Sequence, residues 1–263
     1  VKVRRHTPGF PSVHWLPYTG GLAGDGGRKL FCPFDGKFRT LIASKSFAGE
    51  TVNEPLNKKY PSVRDVSDME RVSMVKEMFA TVTKKYDFLN HLLSLRRDVA
   101  WRRFTVKKMQ FFKTGRLLDV ACGTADLSID AALRHSRINI TGIDFVYEML
   151  DAGRDKIKKK GLDRRISLMQ SDAMELPFCD NSFDSVAVAF GVRNMPNREK
   201  ALKEMLRVTV PGGSVMVLEM TFIQNRMFKI IYHIYLNYLL PRLAKYFSPN
   251  PAAYHYLADS IMN

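Results

Sequence analysis

Four short apolar runs in the middle of this chain each end on residues that can hold a ligand. The run at 116–121 leads into Asp119-Val120-Ala121-Cys122-Gly123-Thr124-Ala125-Asp126, a turn of small residues. The run at 138–144 ends on Asp144, that at 166–171 is followed by Asp172 and Ala173, and that at 185–190 by Gly191, Val192, Arg193 and Asn194. A turn of small residues lets the backbone approach a bound molecule closely, and a helix starting there offers free N–H groups. A carboxylate such as Asp144 accepts hydrogen bonds, and the two hydroxyls of a ribose are suitable donors. Arg193 is a permanent cation, and Asn194 both donates and accepts. Any one of these is more often a loop cap or a turn residue. Their recurrence at four successive run ends points to one site.

The turn also discriminates between ligands. A pyrophosphate-bearing dinucleotide asks for GxGxxG, but only Gly123 is present here, with Ala121 and Ala125 in the flanking positions. No GxxxxGK[ST] phosphate loop occurs. S-adenosylmethionine carries no phosphate, so its turn needs close approach without an anion nest. Asp119 and Asp144 suit its amino-acid and ribose ends respectively, and a nicotinamide dinucleotide is the poorer fit. His91, His135, His233 and His255 lack metal-ligand spacing, and Cys32, Cys122 and Cys179 form no CxxC pair, so no metal is expected. Cys122 reads as a small packing residue within the turn.

Residues at run ends need a scaffold that brings those ends together. The four runs and a fifth at 214–219 alternate with helical patterns, which predicts an α/β fold: a doubly wound, mostly parallel sheet with helices on both faces. In such a sheet ligands bind beyond the carboxyl ends of the strands, near the switch in strand order. Upstream, Val72, Val75, Phe79, Val82, Tyr86, Leu89 and Leu93 alternate spacings of three and four, the stripe of an amphipathic helix, with Asn90 a candidate break. Residues 1–65 show neither a helical nor a strand period and cluster glycines at 20–27. The expected organisation is therefore a basic, Gly/Pro-rich extension at 1–65 and one domain at 66–263.

Composition narrows the partners. The 263 residues are 46% hydrophobic and 25% charged, and 41 Lys and Arg against 26 Asp and Glu give +15. Such a charge suits nucleic acid, an anionic membrane surface or an anionic small molecule. The one dense basic run, Lys156, Lys158, Lys159 and Lys160, has no interleaved aromatic and reads as a solvated helix end. Nucleic acid is not expected as a partner. The charge-free apolar stretch at 230–241 is shorter than the ~18 residues that suggest a membrane span. Arg4 and Arg5 are not followed by the apolar core of a secretory signal, and the first acidic residue is Asp25. The expected location is the cytoplasm, at the inner face of the membrane, or the mitochondrial matrix if the source is eukaryotic.

Further residues complete a resemblance. Tyr86, Asp87, Leu89, Asn90, Leu93, Ser94 and Trp101 form one signature, and Arg207, Val208, Pro211, Gly212, Gly213 and Glu219 a second. Between them lie the turn at 118–126, Ala173 to Phe178, and Phe190, Gly191, Arg193 and Asn194. Over residues 67–261 the chain resembles the C-methyltransferases of ubiquinone and menaquinone biosynthesis. The resemblance implies a Rossmann-like class I methyltransferase fold with S-adenosyl-L-methionine as cofactor, held by Gly123, Thr124, Asp144, Asp172, Ala173 and Asp119. It implies methylation of a polyprenyl quinol, demethylmenaquinol before the ubiquinone-pathway equivalent. A ring carbon is a poor nucleophile until a neighbouring hydroxyl loses its proton, so such a site needs a base, acting through water, and a group that stabilises the phenolate. Arg193 and Asn194 are the candidates for that task, with Tyr86 and Asp87 closing over them.

This chain departs from the family pattern in three places. Asp98 stands where the first signature usually has His, and Ala125 where many members have Gly. The family also continues beyond the point matching Asn263 to complete its sheet with an antiparallel hairpin, so a sheet lacking its C-terminal strands is expected. The segment 228–240, apolar nearly all round and flanked by Arg226, Lys229, Arg242 and Lys245, is either a buried helix or a surface that meets anionic lipid. A methyltransferase with another acceptor, including RNA, and a cofactor-binding scaffold without catalysis are the alternatives. Self-association stays open.

Overall fold

In the computed structural model of the chain the residues described are 12–17, 68–94 and 96–219. The five expected strands form: β2 (Arg116–Val120), β3 (Asn139–Asp144), β4 (Ile166–Gln170), β5 (Phe183–Ala189) and β6 (Thr209–Glu219). All five are parallel neighbours in the order β6-β5-β2-β3-β4. The chain moves outward from β2 through β3 to β4, then returns to the other side of β2 to lay down β5 and β6. The strand order therefore switches between β2 and β5.

The sheet has a sixth member from an unexpected source. β1 (Ser12–Pro17), from the arm assigned to a separate extension, pairs antiparallel with β6 in a register from Ser12↔Glu219 to Pro17↔Ser214. An exposed strand edge presents a row of unpaired N–H and C=O groups that must be covered or blunted. On β6 that edge is covered by N-terminal chain, where C-terminal strands were expected to be missing. A six-residue stretch that ends on Pro17, between two unpatterned segments, carries no signal that would have revealed it. Residues 220–263, including 228–240, lie outside the described residues, and so do Cys32, His233 and His255.

Two apolar layers hold the sheet. On β2 the alternation of a strand sends Leu117 to one face and Leu118 and Val120 to the other, all fully buried. The first layer joins Leu117, Ile140 and Ala187 to Leu127, Ile129 and Ile157 of the helices α3 (Asp126–Arg134) and α4 (Tyr147–Lys159). The second joins Leu118, Val186 and Val188 to Ala201, Met205 and Val208 of α5 (Arg198–Val208). Asn197 caps α5, its side chain accepting from the Lys200 N–H at 2.9 Å.

The N-terminal stripe becomes α1 (Asp68–Leu93), which runs through Asn90 without the break considered there. It is followed by α2 (Arg97–Lys108). Asp98, the departure from the first signature, is buried at the start of α2 and accepts from Ser94 Oγ (2.5 Å), His91 Nδ1 (2.8 Å) and Arg102 (2.9 Å). Burial alone would raise its pKa, but the Ser94 hydroxyl, Arg102 and His91 together hold it below the ordinary value. The second signature is structural at Arg207. Its guanidinium donates to the carbonyls of Leu176 and Phe178 and to Glu204 and Asp180, tying the 176–180 loop to α5.

Candidate active site

The carboxyl ends of β2 and β5 open a cavity of about 140 Å³ whose mouth is continuous with solvent. Its wall includes Gly123, Asp144, Asp172, Ala173 and Asn194, five of the residues singled out from sequence. The remainder is largely apolar. Val75 and Phe79 come from α1, Phe145, Val146 and Met149 from the start of α4, and Met174, Phe190 and Met195 from the loops after β4 and β5.

The turn after β2 is unusual backbone. Ala121, Gly123 and Ala125 alternate in the left-handed region, at φ 53, 54 and 65. For an alanine that conformation costs roughly 1–2 kcal/mol, so two strained alanines in one turn require support. Part of it comes from Asp144, which accepts from the Gly123 N–H at 2.7 Å and the Val146 N–H at 2.9 Å. A Cβ on Gly123 would meet no protein atom within 4 Å, so a side chain there would project into open space on the cavity wall. Across the switch point Phe190 is also left-handed (φ 59), its ring 6.4 Å from that of the signature residue Trp101. Gly191 follows because a Cβ there would sit 2.6 Å from that of Ala121. Strained residues from two loops thus converge on one cavity, a placement typical of functional sites.

The other expected residues lie around the cavity in different ways. Asp172 turns back to accept from the Met174 N–H at 2.8 Å, leaving its second oxygen outside that bond. Asp119 is not on the wall. It lies beneath the turn, fully buried, and accepts from Ser128 Oγ at 2.6 Å. Thr124 donates to Asp87 of α1 at 2.6 Å. Asp87 is thereby engaged with the turn after β2 rather than with Arg193 and Asn194, over which it was expected to close. Tyr86 lies on α1, its side chain outside the described residues. Arg193, in the short 3₁₀ turn Val192–Asn194, is buried behind Asn194 and pairs with Glu219 at the end of β6. Its backbone N–H also donates to the same carboxylate at 3.3 Å.

Burial, opposed by the Ser128 hydrogen bond and reinforced by the charge of Asp144, pushes the Asp119 carboxyl up to about 7. The unfolded chain releases this proton near pH 4, whereas the folded chain keeps it to about pH 7. Folding stability should fall with rising pH across that interval, by on the order of 4 kcal/mol in total. Asp119→Asn should flatten that part of the urea-unfolding profile. A slope unchanged by the substitution would assign it to another group. Cys122 is buried under the turn, and burial likewise pushes its thiol up, away from the reactive thiolate. It is a packing residue, as its position suggested. Among the described residues no cluster of His, Cys, Asp and Glu is arranged to hold a metal ion.

Sequence reasoning missed the roof and the base of the turn. Val75 and Phe79 belong to an α1 stripe whose period is the same whether it faces a core or a cavity. Ser128 and Lys156 carried no signal at all, and Lys156 was placed with a solvated helix end. Lys158, Lys159 and Lys160 are indeed exposed, but Lys156 turns inward to Asp87, Thr124 and Asp126.

Known proteins resemble this chain over most of its length. The model of the ubiE/COQ5 methyltransferase family matches residues 65–263. A Geotalea daltonii protein named ubiquinone/menaquinone biosynthesis C-methyltransferase UbiE is 43% identical over 194 residues, 73% of this chain and 82% of that protein. A Bacteroides fragilis demethylmenaquinone methyltransferase is 37% identical over 210 residues, covering 80% of this chain and 84% of that protein. The Deinococcus radiodurans protein of the same name is 39% identical over 202 residues, 77% of this chain and 82% of its own length.

Proposed function

This chain belongs to the ubiE/COQ5 methyltransferase family, and from that premise we propose that it C-methylates a polyprenyl quinol, demethylmenaquinol first, with S-adenosylmethionine as cofactor. The observation that carries this reading is the strained turn at 121–125 with Asp144 beneath it, at the edge of a largely apolar cavity. The residues present fit the cofactor. The turn has open space where a side chain at Gly123 would stand, and each Asp144 oxygen, though bonded to one backbone N–H, has a further lone pair for a hydroxyl. Asp172 and Ala173 border the same space and suit the base end, with Gly123 near the amino-acid end; Thr124 is buried off the wall, bonded to Asp87 and Lys156.

When bound, S-adenosylmethionine supplies a methyl group on a sulfonium, which leaves as a neutral thioether. The protein's share is alignment and exclusion of water. Phe79, Phe190 and Met195 line the cavity and offer an apolar bed for a flat ring. Asn194 is a polar group beside them and can donate to, or accept from, a ring hydroxyl. A guanidinium offers only donors, so Arg193 acts by stabilising developing phenolate charge and organising water, not as the base. Paired with Glu219, it also fixes the loop that presents Asn194.

The substrate class also bears on location. A polyprenyl quinol partitions into lipid, and 228–240 with its basic flanks is the segment proposed to meet an anionic membrane surface. No helix among the described residues is long and apolar enough to cross a membrane.

The direct test is mass spectrometry of quinones in cells lacking the protein, where a demethylated species should accumulate. An unchanged quinone profile would remove the quinol assignment. The cofactor assignment has its own test. Hydrogen bonds to a charged acceptor are worth about 1.5–3 kcal/mol each, so Asp144→Ala should weaken S-adenosylmethionine binding more than tenfold by calorimetry. It should also lower stability by about 2 kcal/mol, because Gly123 and Val146 lose their acceptor. Unaltered affinity would take Asp144 out of the cofactor site.

A further inference from the structure

We propose that Lys156 is a positioning residue that fastens α1 over the cofactor cavity. This rests on the reading of the cavity as an S-adenosylmethionine site and adds to it a residue on α4 that does not line the cavity wall. The Lys156 ammonium donates to Asp87 of α1 at 2.8 Å, to the Thr124 hydroxyl at 3.1 Å, and to Asp126 at the start of α3. An ammonium has three N–H donors, and here three oxygens from three parts of the chain receive them.

Each of these partners has a second engagement. Thr124 donates to the other oxygen of Asp87, so helix and turn are joined both directly and through the lysine. Asp126 also pairs with Arg102 of α2 at 3.1 Å, and Arg102 reaches Asp98, which holds His91 of α1. α1 is therefore tied down at two points near its C-terminal end, at Asp87 and at His91. Towards its N-terminal end the same helix supplies Val75 and Phe79 to the cavity wall. Phe79 and Asp87 lie eight residues apart on α1, about 12 Å of helix at 1.5 Å per residue. A rigid helix over that span transmits a tilt at Asp87 to the wall at Phe79.

An isolated surface ion pair would contribute little. This one differs because the Lys156, Asp87 and Asp126 side chains are only 25%, 32% and 25% exposed and share one hydrogen-bonded network. With Lys156 removed, Asp87 keeps the Thr124 hydroxyl but has lost its cation. Asp126 keeps Arg102. The junction weakened is thus the one between α1 and the cofactor turn, while the core layers beneath are untouched.

The test uses the full chain with S-adenosylmethionine as probe. Lys156→Met should weaken cofactor affinity about tenfold, the size of a coupling between contacting charged groups. The loss should come from faster dissociation, read by stopped-flow displacement, with the urea midpoint close to the parent's. Asp87→Asn should behave alike, and the double variant should be no worse than either single one. Lys156→Arg, which keeps the charge with a different fork, should recover part of the lost affinity. If the methionine variant fails to fold, Asp87→Asn and Lys156→Arg carry the test between them. Parental affinity and dissociation rate in these variants would overturn the proposal, and so would losses that add in the double variant. A parent that binds no S-adenosylmethionine would overturn the cofactor reading itself, an outcome distinct from a binding parent with unmoved variants.

Discussion

Asp184→Ala should destabilise the domain by about 4 kcal/mol or more, a large share of the roughly 5–15 kcal/mol that domains possess in total. Asp184 is fully buried near the start of β5. Its carboxylate accepts from the backbone N–H groups of Lys113 (3.1 Å), Thr114 (2.9 and 3.1 Å) and Gly115 (2.7 Å). Those residues form the loop that delivers the chain into β2, so one side chain closes the amino-terminal ends of the two central strands. Alanine leaves three donors without their acceptor, at about 1–3 kcal/mol for each unsatisfied group. Asn should rescue only in part, because its amide nitrogen must face a donor where a carboxylate oxygen accepts. Urea unfolding measures both variants. Cofactor affinity, measured where the variants are still folded, should match the parent's, since this end of the sheet lies opposite the cavity. A loss below about 1 kcal/mol would show that water replaces the carboxylate.

The second large effect is expected at Arg193, in activity and stability together. Arg193→Met leaves the Glu219 carboxylate, itself mostly buried, without its cation. Breaking a buried pair by removing one partner costs about 3–5 kcal/mol, and the partial exposure of Glu219 places the expectation near the lower figure. On the role proposed for Arg193, loss of its cation should lower turnover by about 10²–10³-fold. Arg193→Lys separates the two roles. It keeps a charge for Glu219, so stability should largely return, but it loses the planar fork, so turnover should stay at least tenfold below the parent. Cofactor affinity should persist in both variants. Parental kcat in Arg193→Lys would leave this residue with a purely structural role.

Arg193 and Asp184 mark where sequence and structure part company. Both sit at ends of the same strand run, and both types are common in sites and in caps alike. The strands, the helices on both sheet faces and a site beyond the carboxyl ends of the strands were legible in the sequence, because apolar period and small-residue turns are local properties. Gly123, Asp144, Asp172, Ala173 and Asn194 could be placed on one wall for that reason: each follows a strand, and parallel strands end on one side of the sheet. A strand end has two sides, however, and period alone does not distinguish a carboxylate facing a ligand from one facing a loop. Asp144 borders the cavity, whereas Asp184 caps a loop at the opposite end of the sheet.

Long-range pairing decided the rest. Whether Asp87 faces an acceptor or a lysine depends on how α1 lies across α4, which no local pattern encodes, and Lys156 is inseparable from its exposed neighbours until that packing exists. The edge of the sheet is the clearest case. The run 214–219 by itself predicts a strand, which the structure extends back to Thr209, but not what pairs with it, because backbone hydrogen bonding accepts any extended segment that can reach. Only the folded chain brings Ser12–Pro17 to that edge. The sequence determined the elements and the family chemistry they carry. Which side chains meet across those elements was left to the tertiary structure, because charge pairs and strand edges are chosen by proximity in space rather than by order along the chain.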